Sequence, residues 1–593
     1  MIDPRIYRAA LIPVLFAFVL LAFSLEDRPQ PMRTPVPPDA FQGDRAFERA
    51  YEPGTGLSDR FAQRRPGSAA DNRLASEVAS QMRAAGFRVR TIVHDGDTID
   101  GRRSLRTVVA QRAGTIDERI VIVAHRDAAG RRAQAELSGT AALLELARIF
   151  GAPRQTRRTL TLVSTSGGSG GAAGAAELAR DLTGPVGAVL VLGDLASRNV
   201  RAPLVTSWSN ALGATPQRLR ATVQEAVRVE TGSGSGPPRA LSQFARFAMP
   251  ATFGEQGTLL AHGLPAVLLS SGGDRPPAAN AAISRDRLET FGRAALRTVT
   301  VLDAAPAASP VAPEASSRDL LTSRKIVPIW ALRLFTGALL LTVLVTVVDA
   351  FAALLRRRER VTLWLGWTLA GALPFVLAAL FAVALGAVGL VDAPGAPVAP
   401  QALPAQLPAL LAVICVLALG WAWLRPAVLR LLPAGAADRS EPAAGIAVVL
   451  VAVVAAGLIW IANPYAAALL IPALHVWLFA LAPDLRMARG VRLAVVGLGA
   501  LPVALVAIAL ARALGLGAVD AAWELLLLTA GGHVSAASVL LWSLVAGCSV
   551  SALLVAAHGR APVGEDEIPI TVRGPKTYAG PGSLGGTESA LRR

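Results

Sequence analysis

From Val327 onward the chain is built of apolar runs long enough to cross a bilayer, and this limits it more than any other feature. The runs cover about Val327–Leu354, Val361–Val391, Leu407–Leu424, Ala444–Ala462, Tyr465–Leu481, Val491–Leu514 and Ser535–Ala557. A helix needs roughly 17–25 apolar residues to span the hydrocarbon core. Backbone polar groups in lipid must be satisfied within the segment, so these runs are expected to be helices. An earlier run, Ala9–Leu25, follows Arg5 and Arg8. It reads as an uncleaved anchor; a signal peptide is the competing reading, but Glu26-Asp27-Arg28-Pro29 offers no small-x-small cleavage site.

The connections sort by charge. Arg356, Arg357, Arg358 and Arg360 follow the first C-terminal run, Arg425, Arg430 and Arg439 the third, and Arg486, Arg489 and Arg492 flank the fifth and sixth. The loops Asp392–Gln406, Asn463-Pro464 and Gly515–Asp520 hold no Lys or Arg. The positive-inside rule then predicts a multi-pass cell-membrane protein with about eight spans. Both termini are placed in the cytoplasm and residues 26–325 outside. The segment Ala521–Gly532 is too short to cross and reads as re-entrant or interfacial. Ionisable residues at membrane depth are site candidates by default. They are His475 within a span, and Glu524 and His533 at the short segment. The plainer reading is a helix-packing histidine, an interfacial glutamate and a loop histidine.

Composition agrees with a divided chain. Of 593 residues 53% are hydrophobic and 17% charged, against about 25% charged in soluble proteins. The net charge of +16 comes almost wholly from arginine, for Lys325 and Lys576 are the only lysines. Those arginines are dispersed or topological, so no nucleic-acid partner is expected. Cys415 and Cys548 both lie in apolar runs and provide no disulfide framework for the soluble part.

The domain plan is an anchor at 1–25, a Pro-rich linker at 26–60, an extracytoplasmic domain at 61–305, a linker at 306–326, seven transmembrane helices at 327–557 and a disordered cytoplasmic tail at 558–593. Within 61–305, Ala70–Ala85 has the helical spacing Leu74, Val78, Met82. Short apolar strands then alternate with helices: Arg88–Val93, Leu105–Gln111, Arg119–Ala124, Thr159–Ser164, Ala188–Leu192 and Ala266–Ser270 as strands, and Gly139–Phe150, Ala172–Leu182, 216–229 and Arg285–Asp303 as helices. Near-continuous apolar strands mean a mostly parallel sheet covered on both faces. The fold class is a three-layer α/β domain joined to an all-α polytopic membrane domain.

Sites in such sheets lie beyond the strands' carboxyl ends. After Arg119–Ala124 come His125-Arg126-Asp127, where His125 could ligate a metal and Asp127 orient it. The run IVIVAHRDAAG, with SGTAALLELARIF, RTLTLVSTS, GAVLVLGD and LLAHGLPAVLLSS, resembles the M28 family of zinc aminopeptidases over about residues 60–305. That resemblance implies two zinc ions about 3.5–4 Å apart that polarise a carbonyl and activate a water. His125 and Asp127 match the family's His-x-Asp. Ala135 stands where the bridging aspartate belongs, with Glu136 one place away. The family's Glu-Glu pair is replaced by Ser166–Gly171, including Gly168 and Ser169. Asp194 matches the next aspartate with a one-residue slip, and Gln256 takes the last histidine's place beside Glu255.

The resemblance therefore implies an M28-like domain whose two-zinc site is degenerate. The vestigial metal candidates are His125, Asp127, Asp194 and Glu136, and the lost positions are Ala135, Gly168, Ser169 and Gln256. No cofactor is expected. The partners are the lipid bilayer and a protein or peptide at the extracytoplasmic domain, giving a binding or assembly subunit. In architecture the chain is similar to the Gaa-type GPI transamidase subunit and the endoplasmic-reticulum M28 membrane peptidase. The alternatives are an active zinc aminopeptidase with a rearranged site, and a transporter or lipid-handling protein with an extracellular cap. Gly167–Gly171 also satisfies G-x-S-x-G, with Asp194, Asp274 and His262 as partners for Ser169 in a nucleophile-elbow reading. The same turn opens a helix, where its N–H groups could cradle an anion.

Overall fold

A computed structural model describes residues 2–33, 40–131, 133–151, 155–232, 239–306, 314, 316–431, 442–482 and 487–558. The predicted tail from Gly559 onward, Arg439 and Arg486 lie outside the described residues, as do parts of both linkers.

The soluble half is a seven-stranded mixed sheet. Its strands are β1 (Arg88–Thr98), β2 (Gly101–Arg112), β3 (Ile116–His125), β4 (Arg158–Thr165), β5 (Val186–Leu192), β6 (Val205–Thr206) and β7 (Ala266–Leu269). The order is β1-β2-β4-β3-β5-β7-β6. Strands β4, β3, β5 and β7 are parallel, while β1, β2 and β6 run antiparallel to their neighbours. The chain leaves β3 for β4 on one side and then returns to β5 on the other. That reversal opens a crevice at the carboxyl end of β3, where such sheets bind ligands.

Alternation along the strands builds both layers. Ile120, Ile122 and Ala124 face one core with Leu160, Leu162, Leu190 and Leu192. Val121 and Val123 face the other with Val163, Val189 and Val191. Each buried Val, Leu or Ile contributes about 1.5–3 kcal/mol. The first face is covered by helices Ala69–Ala84, Ser138–Gly151 and Arg285–Ala304, the second by Ala173–Asp181 and Glu255–Ala261. Ser68 caps the first of these helices by accepting from the Asp71 amide.

Two stretches expected as linkers hold structure. Gly43–Tyr51 and Leu57–Arg60 are helices, and Phe41, Ala46, Ala50 and Leu57 join the main core. Their apolar residues are too few and too short-spaced to register beside the neighbouring prolines. Farther along, Glu26-Asp27 pairs with Lys325-Ile326, which pairs with Leu320-Leu321. This small sheet joins the two chain entries to the membrane half.

Among the described residues six helices are long and apolar enough to cross a membrane: Pro4–Phe23, Ile329–Arg356, Val361–Ala387, Leu407–Leu431, Ala443–Ala462 and Ala536–His558. Arg489–Leu498 and Leu501–Leu514, bent by 44°, make a seventh if taken as one span. The expected span Tyr465–Leu481 is instead a shorter apolar helix, Pro464–Ala480, broken near Leu469 by the Pro472 that opens its second half. Its first end touches the soluble domain, where Asn463 Nδ2 donates to the Phe247 carbonyl at 2.8 Å. Its far end, at Phe479, packs on Tyr7 near the start of the N-terminal helix.

All three Lys/Arg-free loops meet the soluble domain. Tyr465 is fully buried, stacks on Phe247 at 4.7 Å and donates to the Arg318 carbonyl at 2.7 Å. Arg275 donates to the Arg512 and Ala513 carbonyls at the end of helix Leu501–Leu514. A guanidinium there satisfies orphan carbonyls and suits the helix dipole. Pro394 of the remaining loop lies against Gly171.

Helix Ser138–Gly151 approaches β5 so closely that a Cβ on Gly139 would sit 2.5 Å from the Leu192 carbonyl oxygen. Gly139→Ala should therefore cost about 1–3 kcal/mol by overpacking. Thermal unfolding of the full chain in detergent checks this; an unchanged midpoint would contradict the packing described.

Candidate functional site

His125 ends β3 and pairs in register with Thr165 at the end of β4. The next residue, Arg126, turns inward and is fully buried. Its Nε lies 2.8 Å from Asp71 Oδ1, and its other nitrogens donate to the Ser164 carbonyl at 3.0 Å and the Arg106 carbonyl at 2.6 Å. Asp71 also accepts from Ser166 Oγ at 2.6 Å and the Gly67 amide at 3.0 Å. Burial pushes the Asp71 carboxyl above its ordinary range, against the pull of Arg126. This ion pair pins both strand ends to helix Ala69–Ala84, with His125 and Asp127 on either side of it in the chain.

Asp127 is wholly buried and wholly engaged. Oδ1 accepts from the Gly168 amide at 3.1 Å; Oδ2 accepts from the Ser169 amide at 3.0 Å and from Ser169 Oγ at 2.5 Å. The turn that could cradle an anion thus holds the chain's own carboxylate. Gly167 and Gly171 take φ of +86° and +91° to form it. Gly168 meets a second demand, for a Cβ there would lie 2.3 Å from the His125 Cβ and 3.0 Å from the Glu255 Cδ. No side chain fits at that position.

Asp194 is likewise committed. Oδ1 accepts from the Ala196 and Ser197 amides at 3.0 Å each, and Oδ2 from Ser271 Oγ at 2.9 Å. It closes the turn after β5. Gln256 is buried and donates to Thr252 Oγ1 at 2.8 Å, and Ala135 packs in the core.

Besides Asp194, and Asp274 paired with Arg246, the acids and histidines that line the crevice are His125, Glu136 and Glu255. Glu136 is carried by the 3-10 turn Ala135–Leu137, Glu255 by the first turn of helix Glu255–Ala261. Glu255 Oε1 accepts from Thr165 Oγ1 at 2.7 Å, and its Oε2 lies 4.0 Å from His125 Nδ1. Glu136 Oε2 and Glu255 Oε2 have no hydrogen-bond partner. Burial raises the Glu136 carboxyl to about 8, against the pull of Arg64, and the Glu255 carboxyl to about 8, against the Thr165 bond. Burial also lowers the His125 imidazole, against Asp127. The space open to small molecules is about 60 Å³, enough for a few waters at about 10–15 Å³ each. Among the described residues no three His, Cys, Asp or Glu side chains converge to hold a metal ion. The donors present do not fit the two-zinc set, since two of the four candidates, Asp127 and Asp194, are spent on backbone amides and hydroxyls.

The nucleophile-elbow residues are not brought together. Ser169 Oγ binds Asp127, Asp274 pairs with Arg246 at 2.6 Å, and His262 Nδ1 bonds the Thr258 carbonyl of its own helix at 2.8 Å. His475 lies remote from the crevice and hydrogen-bonds Tyr7 at 2.9 Å. Glu524 and His533 lie behind loop 392–406, the crevice's outer wall.

The sequence profile of Peptidase family M28 matches residues 107–235. That stretch is similar in sequence to the family. It holds β3, β4 and β5 with His125, Asp127, Glu136 and Asp194. The soluble half is similar to glutaminyl cyclase from Porphyromonas gingivalis, at 16% identity over 44% of this chain and 99% of that one, with a TM-score of 0.32. It is also similar to a zinc aminopeptidase from Bacillus subtilis, at 10% identity over 45% of this chain and 95% of that one, with a TM-score of 0.35. No curated protein matches significantly.

Sequence reasoning passed over Asp71 and Arg126. Arg126 sits inside the quoted His-Arg-Asp, and a charged residue between two strand-end site residues was the available signal.

The buried charges set two expectations. Arg126→Met leaves Asp71 buried and unpaired, which should cost about 3–5 kcal/mol; a thermal midpoint within a degree of the parent would contradict it. For Glu136 and Glu255 the folded state holds its proton more tightly than the unfolded state. Their contribution is therefore most favourable below the ordinary range near 4.5 and declines as pH rises toward about 8. Thermal midpoints of the chain carrying Glu136→Gln and Glu255→Gln should fall less over that window than those of the parent. Parallel curves would contradict the burial of these carboxyls.

Proposed function

We propose that this protein is a polytopic membrane protein whose extracytoplasmic M28-like domain has left two-zinc catalysis and serves as a binding or assembly subunit. The observation that carries the reading is the engagement of Asp127. A carboxylate that already accepts from two amides and a hydroxyl has one lone pair left, on Oδ1, to orient a metal-bound histidine or to ligate. The turn that supplies those amides has no room for a side chain at residue 168, where the resemblance places a carboxylate. The crevice keeps the position of a ligand site and the polar floor of one.

The arrangement in the membrane belongs to the same proposal. With Pro464–Ala480 counted as a crossing, the chain has eight spans, both termini in the cytoplasm and residues 26–325 outside. Two features support this. The arginine-rich connections alternate with the Lys/Arg-free ones, and the Lys/Arg-free loops are those that touch the soluble domain. A helix of 17 residues is about 25 Å long, at the low end for a span.

The test is the metal content of the full chain, purified in detergent without chelator and measured by elemental analysis. The proposal expects well under one zinc per chain, unchanged by His125→Ala. Stoichiometric zinc, with aminopeptidase activity that His125→Ala abolishes, would establish the active-enzyme alternative.

A further inference from the structure

Loop 392–406 joins two membrane helices on the side of the soluble domain, and its burial is unusual for a connection. Pro394, Ala396, Pro397, Val398 and Ala399 are all buried. Pro397 and Ala399 line the crevice opposite its carboxyls. Val398 packs with Ile99 at the tip of the β1–β2 hairpin and against Gly170. Pro394 approaches Gly171, where a Cβ would lie 2.9 Å from the proline Cβ. The roof of the crevice is thus supplied by the membrane half.

The loop is hung on the short helix Ala518–Ala530, which at 13 residues and about 20 Å does not span. Trp523 Nε1 donates to the Leu403 carbonyl at 3.1 Å, and the His533 imidazole donates to the Pro394 carbonyl at 3.1 Å. Between these two bonds lies Glu524. It is 4% exposed, both its carboxyl oxygens lack a hydrogen-bond partner, and the Val398 backbone amide is its neighbour in the loop.

The two apolar helices packed against the Glu524 helix carry no cation. Helix Leu373–Ala387 has no titratable residue, and helix Leu407–Leu419 has only Cys415. The loop brings Asp392, the supporting helix Asp520 and the turn after it His533. The hairpin tip brings Asp97 and Asp100, the latter paired with Arg65, and the exposed Arg102 opposite Asp97. A carboxylate in this setting is desolvated, with only the Val398 amide to favour its charge, so burial favours the neutral acid.

We propose that loop 392–406 is a movable roof over the crevice, latched shut by the protonated form of Glu524. This rests on the reading of the crevice as a ligand site. On ionisation Glu524 releases its proton to solvent and its carboxylate must be hydrated. Hydration requires Val398 to lift, and the loop swings about Gly389 just ahead of it, which already holds φ of +72°. Pro397 and Ala399 then leave the crevice and admit a ligand. The closed form binds the proton more tightly than the open form. Closure is therefore complete below the ordinary glutamate range and is lost as pH rises above it.

The experiment uses the full chain in detergent with Cys415→Ser and Ala399→Cys, labelled by iodoacetamide from about pH 5 to about pH 8.5, with and without Glu524→Gln. Dividing the labelling rate of the chain that keeps Glu524 by that of the chain carrying Glu524→Gln removes the thiol's own titration. The ratio should rise about tenfold across the range. A ratio that stays flat overturns the proposal. Amide exchange of residues 392–406 in the unsubstituted chain, corrected for its intrinsic pH dependence, is the second readout. It should show the same step even if the substituted chain does not fold, and its absence also overturns the proposal. Neither readout involves metal or ligand, so failure here leaves the binding reading to its own test.

Discussion

The carboxylate of Asp127 ties the end of β3 to the glycine turn after β4, and the shape of the crevice depends on that tie. Its two oxygens take the Gly168 and Ser169 amides and the Ser169 hydroxyl. The turn is drawn so close to β3 that residue 168 touches the His125 Cβ and has to be glycine. Behind it, Arg126 and Asp71 fix the same two strand ends from the core side. Charge-assisted bonds of this kind are about twice as strong as neutral ones.

The membrane half meets the sheet on its functional edge. Tyr465 and Asn463 hold one point of contact, Arg275 a second, and loop 392–406 a third, across the crevice itself. The soluble domain is therefore not tethered at a distance by its linkers. Whatever enters the crevice meets residues from both halves, and a change in packing among the membrane helices reaches the site through one proline-rich loop.

Much of this was legible in the residues. The strand–helix alternation, the parallel centre of the sheet and the strand-end position of His125 follow from apolar period and from the switch-point rule. The expectation of a degenerate site came from spacing at Ala135, Ser166–Gly171 and Gln256. Three things were not. The engagement of Asp127 depends on amides in the turn after the next strand and has no trace in local sequence. The helices at 43–60 are short and sit beside a proline run, so their burial against helix Arg285–Ala304 could be seen only in three dimensions. Loop 392–406 read as a charge-poor connection. Its prolines and alanines, in a loop with almost no polar residues, were the sign that it is covered, and Glu524 gained meaning only from what covers it.

The central claim is that Asp127 and Asp194, two carboxylates that the two-zinc reading needs, are committed to the chain itself. The most direct test is zinc anomalous scattering from crystals of the full chain soaked in excess zinc. The account predicts no anomalous peak within bonding distance of His125, with Asp127 still on the Gly168 and Ser169 amides. A peak bridging His125 and a rotated Asp127 or Asp194 would contradict it.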